Sequence, residues 1–353
     1  MPLLLKKKKS DIEQIKESAK EESKTDLDFK PNEGNFDLTV STGSTLLDLA
    51  ISGKKVRGGG VPGGILVEIF GPSGAGKTGV LSELCGSAQL RGGEVRFADP
   101  EARLDQAYSQ IYGVIVQEDF FDYSRPDTVE EIFSLIETWK PKNPKVLNLF
   151  AGDSIAALST ELEMGEGDKM GMKRAKDISA GLRKNCRLIA NNNWVIAFTN
   201  QIRQGTDGRN VTPGGLGLPF YASLRIQITP QFQGSKIEKE ITLESGVKVK
   251  QVIGIKSTCT IAKSSIDEPY RTAPISIIFN YGLDDVRSNL QYFKDMTKAA
   301  KYNAFTKEFM SMESAIKHIE SEGLEKQLRE QTIDLWESIQ KQFNQNRTSK
   351  RRL

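Results

Sequence analysis

Histidine occurs once in 353 residues, as His318, and cysteine three times, as Cys85, Cys186 and Cys259. A single imidazole excludes a histidine-rich metal site and argues against a Ser-His-Asp hydrolase. Three thiols this far apart neither frame a disulfide scaffold nor space like zinc ligands, so they read as apolar packing groups in a reducing compartment. No apolar run approaches the ~20 residues that cross a bilayer. "MPLLLKKKKSD" places its lysines after its leucines and lacks the apolar stretch of a secretion signal. Net charge is only +3, so any surface for a polyanion has to be local rather than a property of the whole chain. Hydrophobic residues make up 38% and charged residues 27%, enough to bury a core. A cytosolic protein without a membrane partner is expected.

What is present is organised in three parts. Ser10 can cap a helix with Glu13 completing a capping box, and Ile12, Ile15 and Ala19 form a narrow stripe on an otherwise charged helix. So small a stripe suits docking on another subunit as well as on the chain's own core. Residues 24–36 read as a linker. From about 40 to 283, short apolar runs at 65–70, 94–99, 145–152, 194–199, 224–229, 252–262 and 275–281 alternate with helical patterns at 77–91, 127–139 and 172–191. This alternation predicts an α/β fold with a parallel sheet flanked by helices, extended by antiparallel strands over 250–281. Beyond "YGLDD" the pattern is helical, with Leu324, Leu328, Leu335, Ile339 and Phe343 on one face, and the chain ends in the basic "NRTSKRRL". The expected division is 1–37 (helix and linker, for oligomerisation), 38–284 (core) and 285–353 (helical region with a basic tail).

The chemistry starts at "GPSGAGKT", residues 71–78, which fits G-x-x-x-x-G-K-[ST]. Gly71, Pro72, Ser73, Gly74, Ala75 and Gly76 form a loop whose amides can turn inward around a phosphate, at the positive end of the helix that follows. Lys77 can reach the β- and γ-phosphates, and Thr78 can hold Mg²⁺ through its hydroxyl. A strand before and a helix after are the context this motif needs. Two later strand ends carry acids: "RFADPEARLD" places Glu101 and "NLFAGDSIAAL" places Asp153. Residues past the carboxyl ends of strands line the crevice of an open α/β sheet. Asp153 is the candidate for ordering Mg²⁺ through water, and Glu101 for polarising an attacking water. Capping of the next helix is the competing reading for each.

With these residues placed, the chain resembles the RecA-type recombinases over about residues 38–283. "STGSTLLDLAISG", "GGILVEIFGPSGAGKT", "FADPEARLDQAY", "GDSIAAL", "FTNQIR" and "GGLGLPFYASLRIQI" follow in the family's order at near-family spacing. The loop over 203–219 and the C-terminal region mark a divergent member, of a kind that a phage could encode. The resemblance implies a DNA-dependent ATPase with ATP and Mg²⁺, acting as a helical homo-oligomer on single-stranded DNA and homologous duplex DNA, with loader and single-strand-binding proteins as further partners. It implies that Glu101 activates water, that Asp153 and Ser154 form the second magnesium-side motif, that Asp105 and Tyr108 meet adenine, and that Gln201 senses the γ-phosphate. Two DNA-binding loops are implied, near 159–172 and 203–219, with Met170, Arg183, Lys184, Arg203, Arg209, Gly214 and Gly215 nearest the DNA. Lys263 is implied to close a neighbouring subunit's nucleotide site, and Phe220 to pack on that neighbour. The sequence departs from the family where Ser265 replaces a second lysine, where Pro219 replaces an expected lysine, and where the acidic tail is basic. A ring-forming helicase or translocase of the same fold is the other reading, and a non-catalytic mediator a third.

Overall fold

A computed structural model describes residues 34–117, 119–160, 172–204, 210, 211, 215 and 217–343. The helix expected over 10–22, with Ile12 and Ile15, lies outside the described residues, as do Met170, Arg209, Gly214 and the basic tail. Strand β1 (Asn35–Val40) pairs antiparallel with β2 (Val61–Gly63), with helix α1 (Thr45–Ser52) between them in sequence. Then come β3 (Ile65–Gly71), α2 (Lys77–Leu90), β4 (Val95–Ala98), α3 (Gln106–Ile111), β5 (Phe121–Ser124), α4 (Val129–Thr138), β6 (Leu149–Gly152), α5 (Met172–Asn191) and β7 (Val195–Gln201). A short ladder of β8 (Arg203–Gln204) with β9 (Asn210–Val211) leads to α6 (Gly217–Tyr221) and β10 (Leu224–Pro230). After it stand β11 (Lys236–Thr242), β12 (Lys248–Ser264), β13 (Thr272–Ile278) and β14 (Gly282–Leu283). The remaining elements are α7 (Asp285–Thr297), β15 (Tyr302–Ala304), β16 (Lys307–Phe309), α8 (Met312–Ser321) and α9 (Glu325–Gln342).

Six strands run parallel in the order β5, β4, β6, β7, β3, β10, and the sheet continues antiparallel through β12, β13 and β14. This is the expected mixed fold. Alternate residues of the central strands feed opposite faces, as the pleat requires. Val67, Ile69 and Ala197 meet Leu81 and Leu84 of α2 in one core. Leu66, Ile196 and Phe198 meet Ile132 and Ile136 of α4 and Ile178 and Leu182 of α5 in the other. A third, smaller core joins Leu290, Ala304, Ala315, Ile319 and Leu328 of the C-terminal region. Cys85 and Cys259 are buried, Cys186 half-buried, and all three are free thiols.

Two expectations need correction. The strand expected over 145–152 begins only at Leu149, because the Asn148 side chain ties up the preceding backbone. It donates to the carbonyls of Asn143 at 2.9 Å and Val146 at 3.1 Å and accepts from Glu94 N at 2.8 Å. The apolar face of α9 is rotated from the one expected. Leu328, Thr332, Ile333 and Trp336 are buried, whereas Phe343 is exposed. Trp336 decides this: its ring lies so close to Gly53 that a Cβ there would come within 2.8 Å of it. Arg57 holds the same helix through Glu330, Asp334 and Glu337.

Candidate nucleotide site

The phosphate loop leaves the carboxyl end of β3 and turns into α2 at Gly76. That residue has a left-handed φ of 101°, and a Cβ on it would lie 2.5 Å from Ile277 Cδ1, so only glycine fits. Ser257, on the antiparallel strand β12, donates to Ala75 O at 2.9 Å and pins the loop from outside. Lys77 Nζ donates to the carbonyls of Gly71 at 3.1 Å and Pro72 at 2.8 Å. Burial lowers its pKa, while the charges of Asp153 and Glu101 work the other way.

Thr78 and Asp153 meet directly, the threonine hydroxyl donating to Asp153 Oδ2 at 2.7 Å. Thr199, buried on β7, donates to the other carboxylate oxygen. Burial raises the Asp153 pKa, and the two hydroxyl bonds oppose that rise. A hydroxyl and a carboxylate at this separation are hard oxygen donors suited to Mg²⁺. No group of three or more His, Cys, Asp or Glu side chains able to hold a metal occurs among the described residues. That fits an ion held partly by substrate phosphates and water, as Mg²⁺ commonly is.

Glu101 follows β4 in a turn built around the buried Asp99, which accepts from Leu104 N at 2.7 Å and from Tyr123 Oη at 2.9 Å. Ser154 Oγ donates to Glu101 Oε1 at 2.7 Å, and Arg103 Nη1 lies 3.0 Å from Oε2. Gln201 ends β7, in register with Gly71 on β3. Lys77, Thr78, Glu101, Asp153, Ser154 and Gln201 all line one cavity of about 510 Å³. That volume suits a nucleotide-sized ligand. Asp105 and Tyr108 form part of its wall. Asp105 caps α3 by accepting from Ala107 N at 2.8 Å, and the Tyr108 hydroxyl bonds that of Tyr112 at 2.9 Å. The lining also includes the apolar residues Ile255, Ile277, Ile278 and Phe279.

With this geometry in view, the comparisons decide the ancestry. The model for the RecA N-terminal domain matches residues 6–284. The chain belongs to the RecA family. Protein RecA of Thermus thermophilus is 34% identical over 253 residues, covering 70% of this chain and 68% of the relative. Protein RecA of Phytoplasma mali is 32% identical over 308 residues, 83% of each. That of Rickettsia canadensis is 34% identical over 279 residues, 77% of this chain and 74% of the relative. The recombinase reading and the α/β reading of the sequence both stand with RecA.

Arg183, Lys184, Lys263 and Phe220 are not among the residues that line the cavity. Described residues flanking or ending the two segments expected to bind DNA meet the first turns of α5. Arg174 Nη1 donates to Leu158 O at 3.1 Å across the base of the first. Gly215 and Gly217, at the end of the second, approach Ala175 and Ser179 so closely that a Cβ would lie 2.7 and 2.2 Å from them. Arg203 enters that second segment on β8. Further along α5, Arg183 is exposed, and Lys184 is paired with Glu137 of α4 at 2.7 Å. Lys263 donates to the carbonyls of Pro219 at 2.9 Å and Phe220 at 2.6 Å, closing the end of α6 rather than lining its own chain's cavity. Phe220 is 73% exposed.

Sequence reasoning missed several supporting residues: Thr199, Ser257, Arg103 and the pair Glu68–Arg225. Glu68 is fully buried, ion-paired with Arg225, and accepts from Asn200 at 2.9 Å. An acid inside the apolar run "GGILVEIF" was the one signal that could have shown the last.

Proposed function

We propose that the chain is a DNA-dependent ATPase that assembles as a filament on single-stranded DNA and pairs it with homologous duplex DNA. The observation that carries this reading is the contact of Thr78 with Asp153, beside Lys77 and within one cavity with Glu101, in a RecA-family chain. The amides of the loop over 71–76 would cradle the phosphates of ATP, with Lys77 on the β- and γ-groups. Thr78 and Asp153 would hold Mg²⁺, which supplies charge neutralisation on those phosphates when bound. Glu101, held by Ser154 and Arg103, would accept the proton of the attacking water. Gln201 would report the state of the γ-phosphate to the DNA segment that begins two residues later. Tyr108 would cover the base and Asp105 accept from its amino group.

Residues 1–37 would serve oligomerisation, 38–284 catalysis and DNA binding, and 285–353 would form an accessory helical region. Lys263 and Phe220 would then act on a neighbouring subunit. ATP would favour the filament state that binds DNA tightly, and hydrolysis would release it. The test is phosphate release with and without single-stranded DNA, for wild type and Glu101→Gln. DNA should stimulate the wild type. The variant should turn over at least ~100-fold more slowly, the scale of lost general-base catalysis, while binding nucleotide within about threefold of wild type. A wild type that DNA does not stimulate would overturn the reading. Closed rings whose size ignores DNA length in electron micrographs would replace the filament with a ring motor.

A further inference from the structure

The hairpin β11–β12 reaches beyond the sheet that carries it. β12 pairs with β13 only from Gly254 onward and with β10 only from Ser257, so residues 248–253 have β11 as their sole strand neighbour among the described residues. At ~3.4 Å per residue the free portion extends about 20 Å. Gly246, with a φ of 81°, makes the turn at its tip.

The two faces of this ribbon differ in chemistry. Val249 stands opposite Ile241, and Leu243 N donates to Val247 O, which puts these four aliphatic side chains on one face. They are 40–54% exposed, while Ile237, at the root of the same face, is buried. The other face carries Glu238, Glu240, Lys248 and Lys250, joined in two cross-strand ion pairs. Those four charges balance in pairs, while Lys239, opposite Gln251, shares the aliphatic face between Ile237 and Ile241. A two-stranded ribbon is at best marginally stable alone, and its uncovered aliphatic face costs hydration free energy.

The place of the root and the size of the patch identify the occupant. Ile255 of β12 lines the nucleotide cavity, and Ile253 O accepts from the amide of Phe279, another wall residue, at 2.8 Å. The ribbon therefore rises from the rim of that cavity. The four side chains expose on the order of 350 Å², well short of the ~800 Å² per partner that a free-standing interface needs. A patch of this size is effective only as an addition to a larger contact that already holds the partner in place. The partner that meets both conditions is another copy of this chain closing over the cavity. We infer that the ribbon is an assembly arm whose aliphatic face, Ile241, Leu243, Val247 and Val249, seats on the neighbouring subunit. This rests on the filament reading above.

The test uses the full chain with all four residues changed to threonine, which keeps strand propensity and leaves both ion pairs in place. Sedimentation with single-stranded DNA and a non-hydrolysable ATP analogue reads the protein concentration at half-assembly. Binding of a fluorescent ATP analogue below that concentration checks the fold. The expected result is a half-assembly concentration raised at least tenfold with nucleotide binding within twofold of wild type. The pair Ile241→Thr with Val249→Thr should give about a threefold rise, and it decides the matter if the fourfold variant binds nucleotide poorly. Assembly of the variants at the wild-type concentration overturns the arm, leaving the face to another partner, while the filament reading stands. A wild type that does not assemble at all overturns both.

Discussion

Thr199 is buried on β7 and gives its hydroxyl proton to Asp153, a carboxyl whose pKa burial already raises. That bond favours the ionised form, which is the form that can meet a cation. Thr199→Val removes the bond and keeps the shape, so the Asp153 pKa should rise further and protons should compete better for it. The half-saturating Mg²⁺ concentration for ATP turnover should increase about tenfold, the equivalent of one charged hydrogen bond of ~1.4 kcal/mol. The increase should be larger at pH 6 than at pH 8, as magnesium titrations at the two values would show. An identical shift at both would mean that the hydroxyl only packs. Lys77, Thr78, Glu101 and Asp153 are legible in the sequence because a loop motif and two strand ends announce them locally. Thr199, Ser257 and Arg103 are not. A threonine in "FTNQIR" looks like any strand threonine until the fold brings β7 beside β6.

At the scale of elements, legibility follows pattern. β3 stands out as an apolar run interrupted only by Glu68, because parallel strands are buried on both faces. Helix α1 shows no period because every one of its residues from Thr45 to Ser52 is buried, including Asp48. β11 mixes charges with only two aliphatic residues, and no strand is expected there. Asp48 gives α1 a measurable signature. It accepts from Thr42 N at 2.8 Å and Thr42 Oγ1 at 2.7 Å, yet burial pushes its pKa up to about 6 from 3.8. The folded state therefore holds this proton more tightly than the unfolded chain does. The resulting stabilisation is full below the unfolded value and is lost as pH rises through about 6. It amounts to about 3 kcal/mol at most, from 1.36 kcal/mol per unit. The neighbouring Glu83, pushed up to about 7 chiefly by burial, acts in the same sense. Urea unfolding should show the wild type losing stability from pH 5 to 7.5. Asp48→Asn should flatten that slope, and a slope left unchanged would assign the loss to Glu83 and the rest of the chain.

For the molecule as a whole, the class of fold could be read but the order of its strands could not. Which strand lies beside which depends on contacts of β3 with β7 and with β10, each more than a hundred residues from it in sequence. The proposed self-assembly would use Phe220, 73% exposed, its ring edge-on to Tyr221 at 5.1 Å and its carbonyl held by Lys263. An exposed aromatic fixed in this way has the character of a contact hot spot. Phe220→Ala should raise the protein concentration for ATP-dependent light scattering at least tenfold and leave nucleotide binding by the free subunit unchanged. Scattering at the wild-type threshold would place the subunit contact elsewhere. The ladder between β3 and β7 has a mechanical consequence. Its rungs run from Ile65–Val195 to Gly71–Gln201, and the chain passes from Gln201 almost at once into the segment expected to grip DNA. Tension on that segment along the strand loads the ladder in shear, with its rungs sharing the force instead of peeling apart in turn. In the proposed filament, a stretched strand of DNA would thus tug on the loop at Gly71 through a stiff link, and the nucleotide pocket would be a gauge of the load.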